Sequence, residues 1–457
     1  MLPPREFLQI ARLLGHDPDR LRAGEEQISF SLLTGIDDVR RVFSRVGSEQ
    51  RKERSRTFFD GIASRSRLGQ GMHDRCEAYV FADGAVSYAD LAGLNHHLPA
   101  HVKAISVLEQ TVEAGQVWDV STRASDWGLA EDLELYCIVN LGRLILQPGA
   151  SLVVRGNVFS MVCQQVEIRG EAELDIAILP TPFPQGRRPG PANGQSGRAG
   201  VDGSAGAPGH ASGMASSVLG PILLAGPGNL AGSPGGNGGD GGAGENGRNG
   251  GACKIAEITL RDIRSDGRPL TVFAQAGAGG DGGDGGKGGD GGKGGDGADG
   301  GRAIHGLVRG GSAGPGGAGG NGGPGGAGGH GGIGSNVYVS VPVELADRVK
   351  LVTLAARPGR PGRGGEPGMG GAAGWPGRTP GETPSAPRAP VGSPGRRGMD
   401  GAAGRSREAP AVFLNEHRER VTSNAQAQAG GESTPRGQAS PEPVSQAGPP
   451  GVGTRLP

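Results

Sequence analysis

The chain has few of the aromatic residues that fill an ordinary core and few of the cysteines that cross-link one. Aromatic residues make up 4% of its 457 residues, and its four cysteines include no C-x-x-C pair. So few cysteines in a chain of this length exclude a disulfide scaffold. Lysine plus arginine and aspartate plus glutamate both total 46, so the net charge provides no overall electrostatic footprint for nucleic acid.

Targeting and membrane-spanning signals are also lacking. The first residues carry Arg5 and Glu6 and then an amphipathic pattern, without the apolar stretch and cleavage site of a signal peptide. No apolar run is long enough to cross a bilayer. We therefore expect no membrane span and a cytoplasmic protein by default, with leaderless export or assembly into a particle or cell surface as alternatives.

Residues 1–101 are predicted to form an α+β cap or attachment region. Phe7, Ile10 and Leu13 follow helical spacing, and Asp17-Pro18 has the character of a helix cap followed by a first-turn proline. A further helix is predicted over 36–46, and a hairpin over 79–88 around the turn Ala82-Asp83-Gly84.

Apolar residues alternate with period two over residues 102–180, which predicts short strands separated by turns. Gly142, Pro148-Gly149 and Gly156-Asn157 are the predicted turns. The pattern from Gly142 to Asn157 resembles the rungs of right-handed β-helix proteins. The resemblance implies a short β-solenoid in this region.

Glycine is abundant, at 93 residues, and much of it is periodic. In 279–296 and again from Gly310, two residues in three are glycine. The non-glycine residues recur at every third position. In a polyproline-II-type helix, with three residues per turn, such a run lines its side chains along one edge. Its backbone groups then need neighbouring runs as partners, which predicts a polyglycine-II bundle over 181–420. The Asp/Lys edge at 281–296 is predicted to face solvent, and the edge at 312–327 to be inner or lateral.

A larger repeat places strand pairs between the glycine runs. The pairs are predicted at 253–274 and 336–356, with a weaker strand at 411–414. Each glycine-rich excursion is interrupted once, as expected for a run that goes out, turns at a tip and returns. Residues 421–457 are polar and rich in proline, serine and glutamine, so we predict a disordered tail.

The glycine runs and the tips resemble polyglycine-II proteins, notably the glycine-rich tail-fibre tip adhesins of some phages and the snow flea antifreeze protein. The resemblance rests on repeat character over 186–410, not on a matched motif. In the adhesins the tip loops bind the host receptor, which implies a non-enzymatic structural or adhesin-like protein without cofactor. Its partner would be a surface receptor, a glycan or a particle component. The candidate binding residues at the tips are Val218, Leu219, Ile222, Leu223, Ile304, His305 and Trp375.

Two other classes of protein stay open. One is a collagen-like oligomeric stalk, which would be a trimer. It needs only one glycine per triplet, as in 194–209. A carbohydrate-active β-helix enzyme would use carboxylates on the predicted rungs. The available carboxylates are Asp119, Glu167, Glu173 and Asp175.

Metal sites are weakly indicated. GGxGxD occurs at 279–284 and 294–299, but without the nine-residue repeat of calcium-binding β-rolls. His73, Cys76, His96, His97 and His101 have suitable side chains without the spacing of a zinc site. We therefore predict no metal and no catalytic residue.

Overall fold

The computed structural model describes residues 3–45, 47–59, 80–81, 98–129, 134–181, 192–211, 214–218, 220–223, 229–303, 306–382 and 388–418. Within these ranges the chain is mainly β, and short helices precede the sheets. The tail predicted at 421–457 lies outside the described residues.

The helices are α1 (Arg5–Leu13), α2 (Pro18–Arg22), α3 (Ile36–Phe43) and α4 (Ser48–Phe59), with 3-10 helices at Ala124–Trp127 and Val343–Arg348. The strands are β1 (Gln27–Leu33), β2 (Ala100–Val112), β3 (Val117–Asp119), β4 (Leu135–Leu146), β5 (Ser151–Arg155), β6 (Val158–Ile168), β7 (Ile176–Leu179), β8 (Met214–Ser217), β9 (Gly220–Leu223), β10 (Ala256–Leu260), β11 (Ile263–Ser265), β12 (Leu270–Gln275), β13 (Gly301–Ala303), β14 (Gly306–Val308), β15 (Val337–Ser340), β16 (Val349–Leu354), β17 (Val412–Leu414) and β18 (His417–Arg418).

Two sheets take strands alternately along the chain. The first sheet has the order β1-β2-β4-β6-β10-β15-β17-β18, with β11 also paired to β6. The second has the order β16-β12-β7-β5-β3. Apart from β1 and β18, which are antiparallel edge strands, neighbouring strands in both sheets are parallel. We call these two sheets the two-sheet body.

The core of the two-sheet body lies between the sheets. Apolar side chains at alternate positions of both sheets point into it, including Val139 and Phe159 from the first sheet and Leu152 and Val272 from the second. This placement confirms the period-two strands predicted from residue 102 onward, and β2 begins slightly earlier, at Ala100.

One predicted turn is wrong, because Gly142 lies inside β4. The pairing of β2 with β4 passes from Val107↔Leu141 to Glu109↔Arg143 and so skips Leu108 and Gly142. A methyl group at Gly142 would overlap the carbonyl oxygen of Leu108. Glycine therefore permits a close backbone approach within a long strand here, and it does not end the strand.

The amino-terminal helices cover the outer face of the first sheet. Asn140 Nδ2 donates to the Phe7 carbonyl at 3.0 Å, and Ser160 Oγ donates to the Phe43 carbonyl at 3.1 Å. The predicted cap is confirmed, since Asp17 accepts from the Asp19 amide at the start of α2.

Two expectations for the amino-terminal region need correction. Val80 and Phe81 are helical and buried, whereas a hairpin was predicted there; the rest of that hairpin lies outside the described residues. The strand β1 was not predicted, although its sequence alternates between polar and apolar residues; it forms the edge of the first sheet, and its apolar side chains are about half exposed.

A buried ion cluster ties α4 to the first sheet, and sequence reasoning missed it. Arg54 donates to Glu257 of β10 at 3.1 Å and to Glu416, in the β17–β18 turn, at 2.7 Å. The Arg54 guanidinium also lies 4.0 Å from the centroid of the Tyr338 ring. Glu257 is the charged residue of the fully buried strand β10, and a carboxylate there is the one sequence signal of a buried partner.

All three glycine-rich excursions leave the two-sheet body at the same corner. Between β5 and β6 this corner is the two-residue turn Gly156-Asn157. Further along the chain the excursions replace this turn, and they connect β7 to β10, β12 to β15 and β16 to β17. Strand pairs were predicted between the runs at 253–274 and 336–356, with a weaker strand at 411–414; the structure has β10 and β12, β15 and β16, and β17 there.

Candidate binding site on the glycine runs

Six extended glycine-rich runs lie side by side. They are run 1a (192–210), run 1b (229–252), run 2a (277–300), run 2b (310–334), run 3a (357–378) and run 3b (390–407). Backbone hydrogen bonds between neighbouring runs recur every three residues, at about the period of a polyproline-II-type helix. We call this set the run array.

The run array has two layers. Glycine amides join 1a to 2a and 2a to 3a in one layer, and 1b to 2b and 2b to 3b in the other, between runs of the same direction. Runs of opposite direction are bonded between the layers, as where the Gly286 amide donates to the Gly242 carbonyl at 2.8 Å. Hydrogen bonding within one chain thus holds all six runs together.

The two central runs, 2a and 2b, need two glycines per triplet because neighbours approach on several sides. A methyl group at Gly285 would overlap the carbonyl oxygen of Gly323, and one at Gly286 would overlap that of Arg198. No side chain other than hydrogen fits at either position without separating the runs.

The edge runs 1a and 3b carry only one glycine per triplet, since fewer neighbours surround them. This accounts for residues 194–209, whose spacing also suits collagen. Gly194 and its equivalents donate to run 2a, whereas the other two residues of each triplet are exposed. The change from two glycines to one therefore follows position in the run array.

Aspartate and asparagine side chains complete the hydrogen bonding of the outer faces. The Asp290 carboxylate accepts from the Met369 amide at 2.8 Å, and the Asp296 carboxylate accepts from the Trp375 amide at 2.8 Å. These bonds lower the pKa of both aspartates, with a further contribution from Lys287 and Lys293. The Asp/Lys edge faces outward as predicted, but its carboxylates also join neighbouring runs.

The same rule operates between runs 1b and 2b. Four amides of run 2b donate to an asparagine or aspartate of run 1b, at Asn237, Asp240, Asn246 and Asn249. Pro315 and Pro324 of run 2b have no amide hydrogen, and residues 234 and 243 opposite them are proline and alanine. The residues of the edge at 312–327 are exposed or half-buried, so of its predicted inner or lateral position only the inner one is wrong.

The tips of the first two excursions meet in one small sheet. Its order is β14-β13-β9-β8, and Arg302 of β13 pairs with Ile222 of β9. Val218, at the β8–β9 turn, is fully exposed, and Leu307 of β14 is about half exposed. Apolar side chains therefore lie on the surface at the far end of the runs from the two-sheet body.

The predicted site residues have different outcomes. Ile222 and Leu223 lie in β9, although their side chains are not among the described ones. Leu219, Ile304 and His305 lie outside the described residues. The structure brings β9 and β13 together, and so joins the first two predicted tips.

Trp375 lies one triplet before the third tip, still within run 3a. Its indole is about half exposed, and the Arg388 guanidinium lies 3.9 Å from the ring centroid. The Gly310 amide donates to Thr379 Oγ1 at 3.1 Å, which attaches the third tip to the start of run 2b.

Three of the four carboxylates considered for an enzyme are paired with a neighbouring arginine. Asp175 is buried and accepts from Arg268 at 2.7 Å, and Glu167 accepts from Arg169 at 2.7 Å. Asp119 lies 3.7 Å from Arg155. Asp119, Glu167 and Asp175 therefore each have an arginine partner, and Glu173 is exposed.

Other candidate chemical groups are part of the packing. Burial raises the pKa of Cys137 and of Cys163 to about 12, which keeps both thiols protonated. The residues considered for a metal site lie outside the described residues except His101, which packs edge-on against Trp127 at 5.0 Å. Within the described ranges, no cluster of three histidine, cysteine or carboxylate side chains has the geometry to hold a metal.

No protein-family model matches the chain, and neither a curated protein nor a solved structure is significantly similar to it. Among the described helices, none has both the length and the apolar character needed to cross a membrane.

Proposed function

We propose that the chain is a non-enzymatic, adhesin-like structural or binding protein that presents tip loops from a rigid scaffold. The scaffold would be a β-solenoid with a polyglycine-II bundle inserted at one corner. The observation that carries this proposal is the hydrogen-bonded run array, because it ends in exposed tip segments joined by a small sheet.

The tips have a composition suited to recognition. Tryptophan and arginine are enriched among residues that dominate binding energy, and exposed apolar side chains supply contact area. Trp375, Arg388, Val218 and Leu307 are all exposed near this end of the runs. The partner class that fits best is a glycan or receptor on a cell or particle surface.

The intramolecular pairing of the runs favours this reading over a collagen-like stalk. Each run already has partners from its own chain, whereas a collagen triple helix takes its partners from two other chains. The local ion pairs of Glu167 and Asp175 favour it over a carbohydrate-active enzyme.

The test is binding of the purified chain to an array of cell-surface glycans. A tip variant, V218S/L307S/W375A, removes three exposed apolar side chains near the tips. V343S removes another exposed valine, on the two-sheet body, and is the matched control. We expect the tip variant to lose binding and V343S to retain it, with both melting near the unmodified chain.

Equal binding by the tip variant and the unmodified chain would contradict a role for the tips. A reducing-end assay on every bound glycan tests the alternative directly. Release of reducing ends would make the chain an enzyme and overturn the proposal.

A further inference from the structure

Positive charge is concentrated in the third excursion. Residues 357–407 contain nine arginines, no lysine and three carboxylates, although the whole chain is neutral. Residues 192–252 contain two basic residues and three carboxylates, and residues 277–334 contain four basic residues and five carboxylates. The first and second excursions are thus nearly balanced, whereas the third carries a large excess of arginine.

The arginines of this excursion gather along one edge of the run array, near the two-sheet body. Run 3b is antiparallel to run 3a, and the Gly404 and Gly398 amides donate to the Gly359 and Gly365 carbonyls. This register places arginines of the two runs beside one another over a length of about 28 Å at the rise of a polyproline-II-type helix. We call this set the arginine edge: Arg357, Arg360, Arg363, Arg396, Arg397 and Arg405.

Most of the arginine edge has no carboxylate partner. All six side chains are exposed. Arg397 lies 3.7 Å from Glu366 and 4.0 Å from Asp400, while in the described part of the chain no ion pair involves the other five. Their guanidinium groups are therefore available to an external anion.

Carboxylates of a neighbouring run offset the positive charge on only one face of the arginine edge. Asp281 and Asp284 lie beside Arg360 and Arg363, and each carboxylate accepts the arginine's backbone amide at 2.7 Å. On the other face the amide of Arg396 donates to Asn321, an uncharged side chain. The amide of Arg405 donates there to the His330 ring, so no carboxylate accompanies either arginine on that face.

Spacing and chemistry define the ligand. Arg357, Arg360 and Arg363 recur every three residues, which sets them about 9 Å apart along a straight run. Guanidinium groups bind carboxylates, sulfates and phosphates through paired hydrogen bonds. We propose that the arginine edge binds a linear anionic polysaccharide, laid along the side of the run array.

Two other occupants fit less well. Single-stranded nucleic acid is bound through aromatic platforms, but the described part of the third excursion has one aromatic side chain, Trp375, and Arg388 lies over its ring. A second copy of the chain would have to offer an acidic edge, yet the opposite edge belongs to the nearly balanced first excursion. The site goes beyond the proposed function, because it lies at the end of the runs away from the tips.

The test measures affinity for polygalacturonate and heparin, with neutral dextran as the uncharged polymer. The edge variant is R360Q/R363Q/R396Q/R405Q, which leaves every backbone hydrogen bond in place. The matched control, R198Q/R248Q/K287Q/K293Q, removes four positive charges from other runs. We expect at least a roughly tenfold affinity loss for the edge variant at low salt, and less than about twofold for the control.

Equal losses in the two variants would mean unspecific attraction and would overturn the proposal. So would dextran binding as strong as polyanion binding, or displacement of the polysaccharide by a short oligothymidylate at lower concentration. The tip variant V218S/L307S/W375A keeps the arginine edge, so we expect it to bind the polyanions normally. If the edge variant fails to melt cooperatively, R396Q/R405Q is measured in its place, since neither arginine takes part in an ion pair within the described part of the chain.

Discussion

Two adjacent glycines in run 1b test how closely the runs approach. A methyl group at Gly238 would overlap the Gly289 carbonyl oxygen, whereas the nearest atom to one at Gly239 is 3.3 Å away. We expect Gly238→Ala to lower the free energy of unfolding by about 3 kcal/mol or more, because neighbouring backbone cannot yield as a flexible side chain can. Gly239→Ala should change it by less than about 1 kcal/mol.

Thermal and chemical denaturation of the two variants measure this difference. Each variant adds one methyl group to the same triplet of the same run, and both amides donate to a neighbouring run. Similar stability for the two would mean that the runs lie further apart than the hydrogen bonds indicate.

The aspartate bonds predict a dependence of stability on pH. The pKa values of Asp290 and Asp296 are lowered, first by the amides of Met369 and Trp375. The unfolded chain therefore takes up protons at these sites at higher pH than the folded chain does. The melting temperature should stay level above the unfolded pKa of about 3.9 and fall as pH drops below it.

Asparagine substitution isolates this effect. D290N/D296N keeps an oxygen acceptor for each amide but removes the titrating groups, so its melting temperature should fall less between neutral pH and pH about 3. Asp347→Asn, an exposed site on the two-sheet body, is the control and should follow the unmodified chain. The same fall in melting temperature in all three proteins would mean that Asp290 and Asp296 do not contribute to the pH dependence of stability.

At the level of elements, the position of an excursion determines what its removal does. The third excursion forms one edge of the run array, while the second has neighbours on both sides. Replacing 355–411 by Gly-Asn, the turn found at 156–157, should leave runs 1a, 1b, 2a and 2b bonded. Replacing 276–336 in the same way should remove the run 2a partner of every glycine amide in run 1a from Gly194 to Gly209.

Hydrogen exchange of those run 1a amides is the measurement. Loss of the third excursion should leave their protection within about threefold, and loss of the second should reduce it at least about tenfold. Equal protection in the two deletions would mean that run 1a is ordered without run 2a. That outcome would refute the pairing of run 1a with run 2a.

Much of the element order could be predicted from the sequence, because the period of the apolar residues changes with the structure. The alternation near Val139 and the strand pairs around Ile258 and Val339 marked the strands. The place of Gly142 inside a strand could not be predicted, since a glycine that permits a close approach and one that ends a strand look alike in sequence. The strand β1 was missed although Gln27–Leu33 alternates between polar and apolar residues, which is the same signal that marked the later strands.

For the candidate site, the sequence located the runs but not their neighbours. The number of glycines per triplet depends on which runs surround a given run, and the sequence alone does not say which runs are neighbours. The roles of Asp290 and Asn237 follow from residues 79 and 81 positions later in the chain. The excess of arginine after residue 357 was visible in the composition, but its gathering on one edge required the antiparallel register of runs 3a and 3b.

For the whole molecule, the pairing of runs within one chain predicts that the array forms without a partner chain. Glycine amides of each run donate to backbone carbonyls of neighbouring runs in the same polypeptide. Light scattering on the purified protein should therefore find a species with the mass of one chain, 46.0 kDa, and its melting temperature should not change with concentration. A trimer whose melting temperature rises with concentration would instead indicate a collagen-like stalk, in which glycines pack against two other chains.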